Sequence, residues 1–425
     1  NCGLFGTFPE KIFQLPLLRS LDIYGNSLVQ GSMQPEFPEN GSLEVLWNNS
    51  TLHSCMSNLT QLLYLDISSN NFTGPVPHFS SSENLTFIEL ADNRLTGPIS
   101  SLQWDRHLKL ERVSLRNNSL NGTIPVGGME GIIPSSIFRL PSLIYLSLAS
   151  NNFSGTVRLS MFQKFKNLSN LDLSGNKLSI NSGGINSSLF PQVSLLSLAS
   201  CKLTEFPEFF KNQLKLDYLD LSNNQIRGKI PNWIWQIGNG YLAHLNLSLN
   251  FLENPDQPLP SFHFKWLVTL DFHSNLLQGS IPILPPVASV LDYSNNNLTS
   301  IIPVDIGSYL QYAIFFSLSH NFLRGEIPMS VCEATSLRVL DLSSNSLRGS
   351  IPRWSLPAQL FLTWKGMMTN EDDTLDKYNQ QILRYEFQRL GRLYYQDVVT
   401  VANKGMQMEL LKILTIFTSI DMSNN

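Results

Sequence analysis

Apolar residues along the chain recur at a short, fixed spacing that is clearest from Leu216 to Trp233. Leu216, Leu219 and Leu221 stand at L-x-x-L-x-L, and the alternation through Tyr218, Asp220 and Ser222 predicts a short strand whose polar face meets solvent. Asn224 follows where the chain must turn, and its amide carries donors and an acceptor for the backbone of neighbouring copies. Ile226, Gly228, Ile230 and Pro231 then supply two core residues, a glycine for a tight bend and a proline that ends pairing. A unit this small buries too little surface alone, so copies must stack.

The turn asparagine marks the copies. It recurs at Asn70, Asn93, Asn118, Asn151, Asn176, Asn224, Asn250, Asn275, Asn296, Asn321 and Asn345, with Cys201 in the same place, mostly 23 to 26 residues apart. The step from Asn118 to Asn151 is stretched around Val126 to Ile133, and the step from Asn275 to Asn296 is contracted near Pro285 and Pro286. An earlier copy holds Leu18, Leu21, Ile23 and Asn26, and the stretch at about 41–60 keeps Leu43 and Leu46 but loses the rest. Residues 1–352 therefore read as one series of about fourteen copies, counting degenerate ones. The expected architecture is α/β: a right-handed, curved leucine-rich-repeat solenoid with a parallel concave sheet.

The pattern stops after Pro352. Residues 353–410 hold seven basic and seven acidic residues, interleaved with Trp364, Tyr378, Tyr385, Phe387, Tyr394 and Tyr395, and contain no glycosylation sequon. The repeat restarts at 411–425 with Phe417, Ile420, Met422 and Asn425, so the intervening segment reads as an inserted island. Ending inside a strand-turn unit leaves a sheet edge and an open core. The chain is therefore expected to be a fragment or the product of a truncated gene model.

The net charge of −4 gives no electrostatic case for nucleic acid. The most apolar late run, Leu410 to Phe417, is short and carries Lys412, so no membrane span and no leader is expected within the sequence. Cys2, Cys55, Cys201 and Cys332 follow neither metal-site nor disulfide-framework spacing. Cys2 and Cys201 each stand two residues before a core leucine, where a small buried thiol can replace the asparagine amide. Thirteen sequons argue for the secretory route, among them Asn40, Asn58, Asn71, Asn84, Asn117, Asn121, Asn152, Asn167, Asn186, Asn246 and Asn297.

Catalysis has little support, because no GxSxG, HExxH, P-loop or dinucleotide fingerprint occurs. No cofactor is implied. The seven histidines are dispersed, and His244 and His273 occupy different positions of their strands, so no metal site is expected. Asp66, Asp172, Asp220, Asp271, Asp292 and Asp341 share one outward slot, where a structural or solubilising role outweighs acid–base chemistry. Binding has a better case. Parallel strands about 4.8 Å apart align outward slots into columns, and one column reads Tyr64, Phe87, Arg112, Tyr145, Tyr218, His244 and Phe315. Asn170, Leu195, Thr269, Val290 and Val339 interrupt it. Exposed aromatics and arginine suit recognition surfaces, although the same side chains also serve to cover the edge of a concave sheet. Glu89 and Arg116 add charge to the section from Tyr64 to Tyr145, which is the preferred ligand patch. A glycan on Asn246, in an outward strand slot, would obstruct this face near His244.

The repeats with G-x-I-P resemble plant-specific leucine-rich repeats. CGLFGTFPEKIFQ, MSNLTQLLYLDISSNNFTGP, WKGMMTNEDD and YYQDVVTVANKGMQMELLKILTIFTSIDMSNN resemble plant receptor-like proteins of the wilt-resistance and immune-receptor type. The resemblance implies a cell-surface protein with an extracellular repeat domain, one transmembrane helix, a short tail and no kinase of its own. Such proteins recognise a pathogen- or damage-derived ligand, whether protein, peptide or glycan, and signal through partner receptor kinases. The resemblance also implies co-receptor contacts from the island and the repeats after it, with Tyr394, Tyr395, Lys404 and Gly405 the residues chosen. Trp354 stands about where the family often places a cysteine partner for Cys332. A secreted inhibitor of microbial wall-degrading enzymes uses the same repeat type and stands as an alternative, as does a non-functional truncated paralogue.

Overall fold

The computed structural model describes residues 62–76, 83–102, 104–124, 135–255 and 266–349. It also describes the backbone of short strands at Phe5–Thr7, Ser20–Leu21, Leu28–Gln30, Val45–Leu46, Val399–Asn403, Met406–Leu410 and Ser419–Asp421. Two compact units are present: Asn1–Ile226 with Gln236–Leu242, and Arg227–Trp235 with Ala243–Asn425.

Each L-x-x-L-x-L segment is a three-residue strand. In the first unit these are β1 (Tyr64–Asp66), β2 (Phe87–Glu89), β3 (Arg112–Ser114), β4 (Tyr145–Ser147), β5 (Asn170–Asp172), β6 (Leu195–Ser197) and β7 (Tyr218–Asp220). In the second they are β8 (His244–Asn246), β9 (Thr269–Asp271), β10 (Val290–Asp292), β11 (Phe315–Ser317) and β12 (Val339–Asp341). Within each unit, successive strands pair in parallel and in register, so equivalent residues line up. Ser20–Leu21 and Val45–Leu46 extend the first unit's sheet before β1, and Ser419–Asp421 pairs with β12.

The template repeat shows why. Leu216, Leu219, Leu221, Ile226 and Ile230 are all fully buried, each contributing about 1.5–3 kcal/mol of apolar burial. Beyond the turn, Thr73–Pro75, Arg94–Pro98, Ser119–Ile124, Asn152–Arg158 and Lys177–Asn181 form a second parallel sheet in the first unit. The return legs are short turns of 3-10 helix such as Leu159–Lys164 and Glu208–Asn212, with one four-residue α-helix at Ile306–Tyr309 among the described residues. Parallel strands joined by such tight returns make the leucine-rich-repeat solenoid fold.

The asparagines close each turn by bonding two copies at once. Asn93 donates from Nδ2 to the carbonyls of Leu90 and Ala91 in its own copy and of Ile67 in the preceding one. Its Oδ1 accepts from Phe72 N–H. Asn118, Asn151, Asn176 and Asn224 repeat the arrangement in the first unit, and Asn275, Asn296, Asn321 and Asn345 in the second. The preceding residue takes a left-handed backbone conformation, as at Asn223 (φ 51°) and Asn295 (φ 53°), which aims the amide back under the strand. Cys201 fills the same place. Its Sγ lies 3.5 Å from Ala199 O and 3.9 Å from Leu173 O, and burial pushes the thiol pKa up to about 12.

The contracted copy has its own device. Tyr293, fully buried at a leucine position, donates its hydroxyl to Ile283 O. A phenol there fills volume left by the missing residues and satisfies its own polar tip. The stretch Val126 to Ile133 lies outside the described residues.

One expectation needs correction. Tyr218, Asp220 and Ser222 are half-buried, and Asp66, Asp271, Asp292 and Asp341 are buried, rather than facing open solvent. The physical reason is a local turn. Each aspartate Oδ1 accepts the backbone N–H two residues on, as in Ser68 to Asp66 (2.9 Å), Ser222 to Asp220 (2.9 Å) and Ser343 to Asp341 (3.0 Å). This Asx turn folds the carboxylate against the strand end, and the adjacent strands cover it.

Candidate functional site

The first outward column of the first unit is set by the register Tyr64, Phe87, Arg112, Tyr145, Asn170, Leu195 and Tyr218. Four consecutive members interlock. The rings of Tyr64 and Phe87 stack with centroids 4.1 Å apart and planes 14° from parallel. The Arg112 guanidinium carbon lies 5.5 Å from the Phe87 centroid and 3.5 Å from that of Tyr145. In the next outward column Glu89 accepts from Arg112 Nε at 3.0 Å.

These five side chains, from four adjacent strands, form one half-buried platform. Burial raises the Tyr64 pKa to about 12, with Asp66 and Glu89 adding to the effect. Tyr145 is also raised by burial, against the opposing charge of Arg112. Burial raises Glu89 above its ordinary value, while hydrogen bonds from Ser114 and Arg112 and the Arg112 charge pull the other way. Arg112 therefore works on three neighbours at once: as a cation for Glu89 and as a flat surface for two rings.

Arg116 stands two residues beyond Ser114 and acts electrostatically on Tyr145 and Asp172. Tyr218 is separate. Asn170 and Leu195 lie between it and Tyr145, which places it three strand spacings, roughly 14 Å, away. In the second unit His244 Nδ1 lies 3.0 Å from Thr269 Oγ1, whereas His273 Nδ1 lies 2.9 Å from Asp271 Oδ1, so the two histidines serve different neighbours. Asp66, one of the aspartates expected to be structural or solubilising, also borders the platform, its Oδ2 3.5 Å from Tyr64 Oη.

Of the sequon asparagines, Asn71, Asn84, Asn117, Asn121, Asn152, Asn167, Asn186 and Asn297 are exposed and Asn246 is half-buried. Asn246 Oδ1 accepts from both N–H and Oγ of Ser248, at 3.0 and 2.7 Å, so this asparagine makes the Asx turn that aspartate makes elsewhere. Asn40, Asn58, Tyr394, Tyr395, Lys404 and Gly405 lie outside the described residues. The strands flanking Lys404 and Gly405, Val399–Asn403 and Met406–Leu410, pair antiparallel. Cys332 is an exposed free thiol. Among the described residues no helix is long and apolar enough to cross a membrane.

The Leucine Rich Repeat family model matches residues 61–82, 215–237 and 336–356. Receptor-like protein 18 of Arabidopsis thaliana is 29% identical over 70% of this chain and 41% of its own length. Receptor-like protein 35 of the same plant is 31% identical over 61% of this chain and 34% of its own. The chain is similar to the plant leucine-rich-repeat receptor-like proteins. The chain spans less than half the length of those two relatives. Its fold matches the ectodomain of the Arabidopsis receptor kinase GASSHO1/SCHENGEN3 with a TM-score of 0.59 at 24% identity, over 83% of this chain and 50% of that one. It matches the Arabidopsis HAESA ectodomain, solved with an IDA peptide hormone ligand, with a TM-score of 0.56 at 25% identity, over 81% of this chain and 65% of that one.

Proposed function

We propose that this chain is the ligand-recognition region of an extracellular receptor in plant defence signalling. Its signal passes through a partner receptor kinase, and a longer form is anchored in the plasma membrane. The platform of Tyr64, Phe87, Glu89, Arg112 and Tyr145 carries the reading. Stacked aromatic rings beside an arginine–carboxylate pair offer apolar area and directed polar groups on rigid strands, which is how recognition surfaces concentrate binding energy. A peptide is the ligand class that suits it, with an apolar side chain laid on Tyr64 and Phe87 and polar groups meeting Glu89, Arg112 and Arg116. The peptide hormone held by the HAESA ectodomain supports that class.

The test uses the complete receptor in plant cells challenged with fractionated microbial and damage-derived peptides. Tyr64→Ala combined with Arg112→Ala is expected to abolish the triggered response with unchanged surface abundance. An unchanged response removes this platform from the reading. Tyr218→Ala, on the same face but apart, is expected to weaken the response less.

A further inference from the structure

A second cluster lies on the strands of the second unit, away from the aromatic platform. The column of third strand residues there reads Asn246, Asp271, Asp292, Ser317 and Asp341, in register. Asp271 on β9 and Asp292 on β10 are therefore side by side, fully buried and 5% exposed respectively. From β4 to β7 serines separate such carboxylates: Asp172 has Ser147 and Ser197 as its neighbours, and Asp220 has Ser197. Two further acidic pairs are adjacent: Asp66 and Glu89, where Arg112 is bound to Glu89, and Asp341 with Asp421 on the strand that pairs with β12. Like charges on neighbouring strands repel, and burial strengthens the repulsion, so a cation beside them is stabilising.

The residue supplied at Asp271 and Asp292 is a histidine. Two positions beyond the third strand residue the unit carries Ser248, Ser294, Ser319 and Ser343, but His273 follows Asp271. At Asp341 the serine in this place gives its hydroxyl to the aspartate. His273 instead sets Nδ1 at 2.9 Å from Asp271 Oδ1 and is only half-buried, so the ring reaches the outward face. One ligand atom from each of Asp271, His273 and Asp292 lies within 4.8 Å of the other two. In a tetrahedral zinc site with bonds of about 2.0–2.2 Å the ligand atoms stand roughly 3.3–3.6 Å apart, so rotation of these side chains has to bring the atoms closer by up to about 1.5 Å.

We propose that Asp271, His273 and Asp292 form a divalent transition-metal site, with zinc the best chemical match. One imidazole and two carboxylates make a borderline donor set that favours zinc over calcium or magnesium, which prefer oxygen alone. The metal replaces the hydrogen-bond proton between His273 Nδ1 and Asp271 and places its double charge between the two carboxylates. Its remaining coordination is open to water or to a ligand group on the outward face. Because the imidazole must be neutral to bind, a proton competes with the metal.

The test is isothermal titration of the purified, glycosylated, untagged chain with zinc chloride at pH 7 in a non-coordinating buffer, with metal content measured after dialysis. One equivalent of zinc is expected, with cobalt giving the visible absorption of a low-coordinate site. His273→Ala and the near-isosteric Asp292→Asn should each weaken zinc by more than the roughly 10–100-fold typical of losing an outer partner. His244→Ala should leave it unchanged. Failure of the wild-type chain to bind zinc stoichiometrically overturns the proposal. So does unchanged affinity in Asp292→Asn, which keeps the shape of the site if His273→Ala does not fold.

Discussion

Arg112 and Tyr145 face one another across adjacent strands, the guanidinium carbon 3.5 Å from the ring centroid, while Nε of the same arginine holds Glu89 at 3.0 Å. The arginine is thereby fixed in position before any ligand arrives. A fixed guanidinium loses less rotamer entropy on binding than a free one.

Arg112→Lys keeps the charge but loses the planar contact and the directed Nε bond. In a double-mutant cycle, Arg112→Ala with Tyr145→Leu is expected to show a coupling of about 1 kcal/mol, from urea denaturation midpoints. Lysine at this position should recover less than half of it. Full recovery by lysine shows that charge alone matters and that the stacking has no energetic role.

The raised pKa of Glu89 fixes the sign of a pH effect. A carboxyl whose folded value lies above its unfolded value binds protons more tightly when folded. Its contribution to stability is therefore present at low pH and is lost as pH rises through the range above 4.5, the ordinary glutamate value. Glu89→Gln should flatten this component of the denaturation free energy against pH. Arg112→Ala removes a stabilising charge and should extend the loss to higher pH. A steeper rise of stability with pH in Arg112→Ala contradicts the assignment.

Asn224 bonds Leu198 O, Leu221 O and Ser222 O and accepts from Cys201 N and Leu203 N. Asn224→Ala strands several buried backbone groups and is expected to cost about 3 kcal/mol or more. Cys201→Asn runs the other way, gaining about 0.5–1.5 kcal/mol by restoring the amide bonds that a thiol makes weakly. Thermal denaturation of the three proteins checks both signs, and a destabilised Cys201→Asn contradicts the second.

Gly238 has φ +64°, and a Cβ there would meet Leu216 O at 2.0 Å. Its N–H also donates to Gln213 O at 2.8 Å. Gly238→Ala combines an unfavourable backbone conformation with a clash against backbone, so a loss of about 2–4 kcal/mol is expected in denaturant unfolding. A neutral substitution would mean that this turn re-forms without the Leu216 contact.

The repeat was legible because its core spacing is strict. Leu219, Leu221, Ile226 and Ile230 could be assigned to the interior from sequence, and Asn224 and Cys201 to the turn. The aromatic column was legible for the same reason, since register follows from the core positions. What the pattern did not carry was the direction of side chains within a column. Asp66 and Asp271 have the spacing of exposed residues, but an Asx turn draws them inward. Tyr218 shares a column with Tyr145 yet sits three strands away. Asp271 and Asp292 share a slot by spacing, but that His273 turns its Nδ1 back to 2.9 Å from Asp271 Oδ1 is a matter of side-chain direction, which spacing does not carry.

The asparagine ladder has a consequence for how such a chain changes over generations. Each amide reaches only main-chain atoms of its own copy and the one before, so it recognises no particular neighbouring side chain. Whole copies can then be duplicated, deleted or exchanged by recombination, and the new junction closes with the same bonds. Outward residues such as Arg112 and His273 travel with their copies. Recombination thereby reshuffles the binding face while leaving the rules of closure intact.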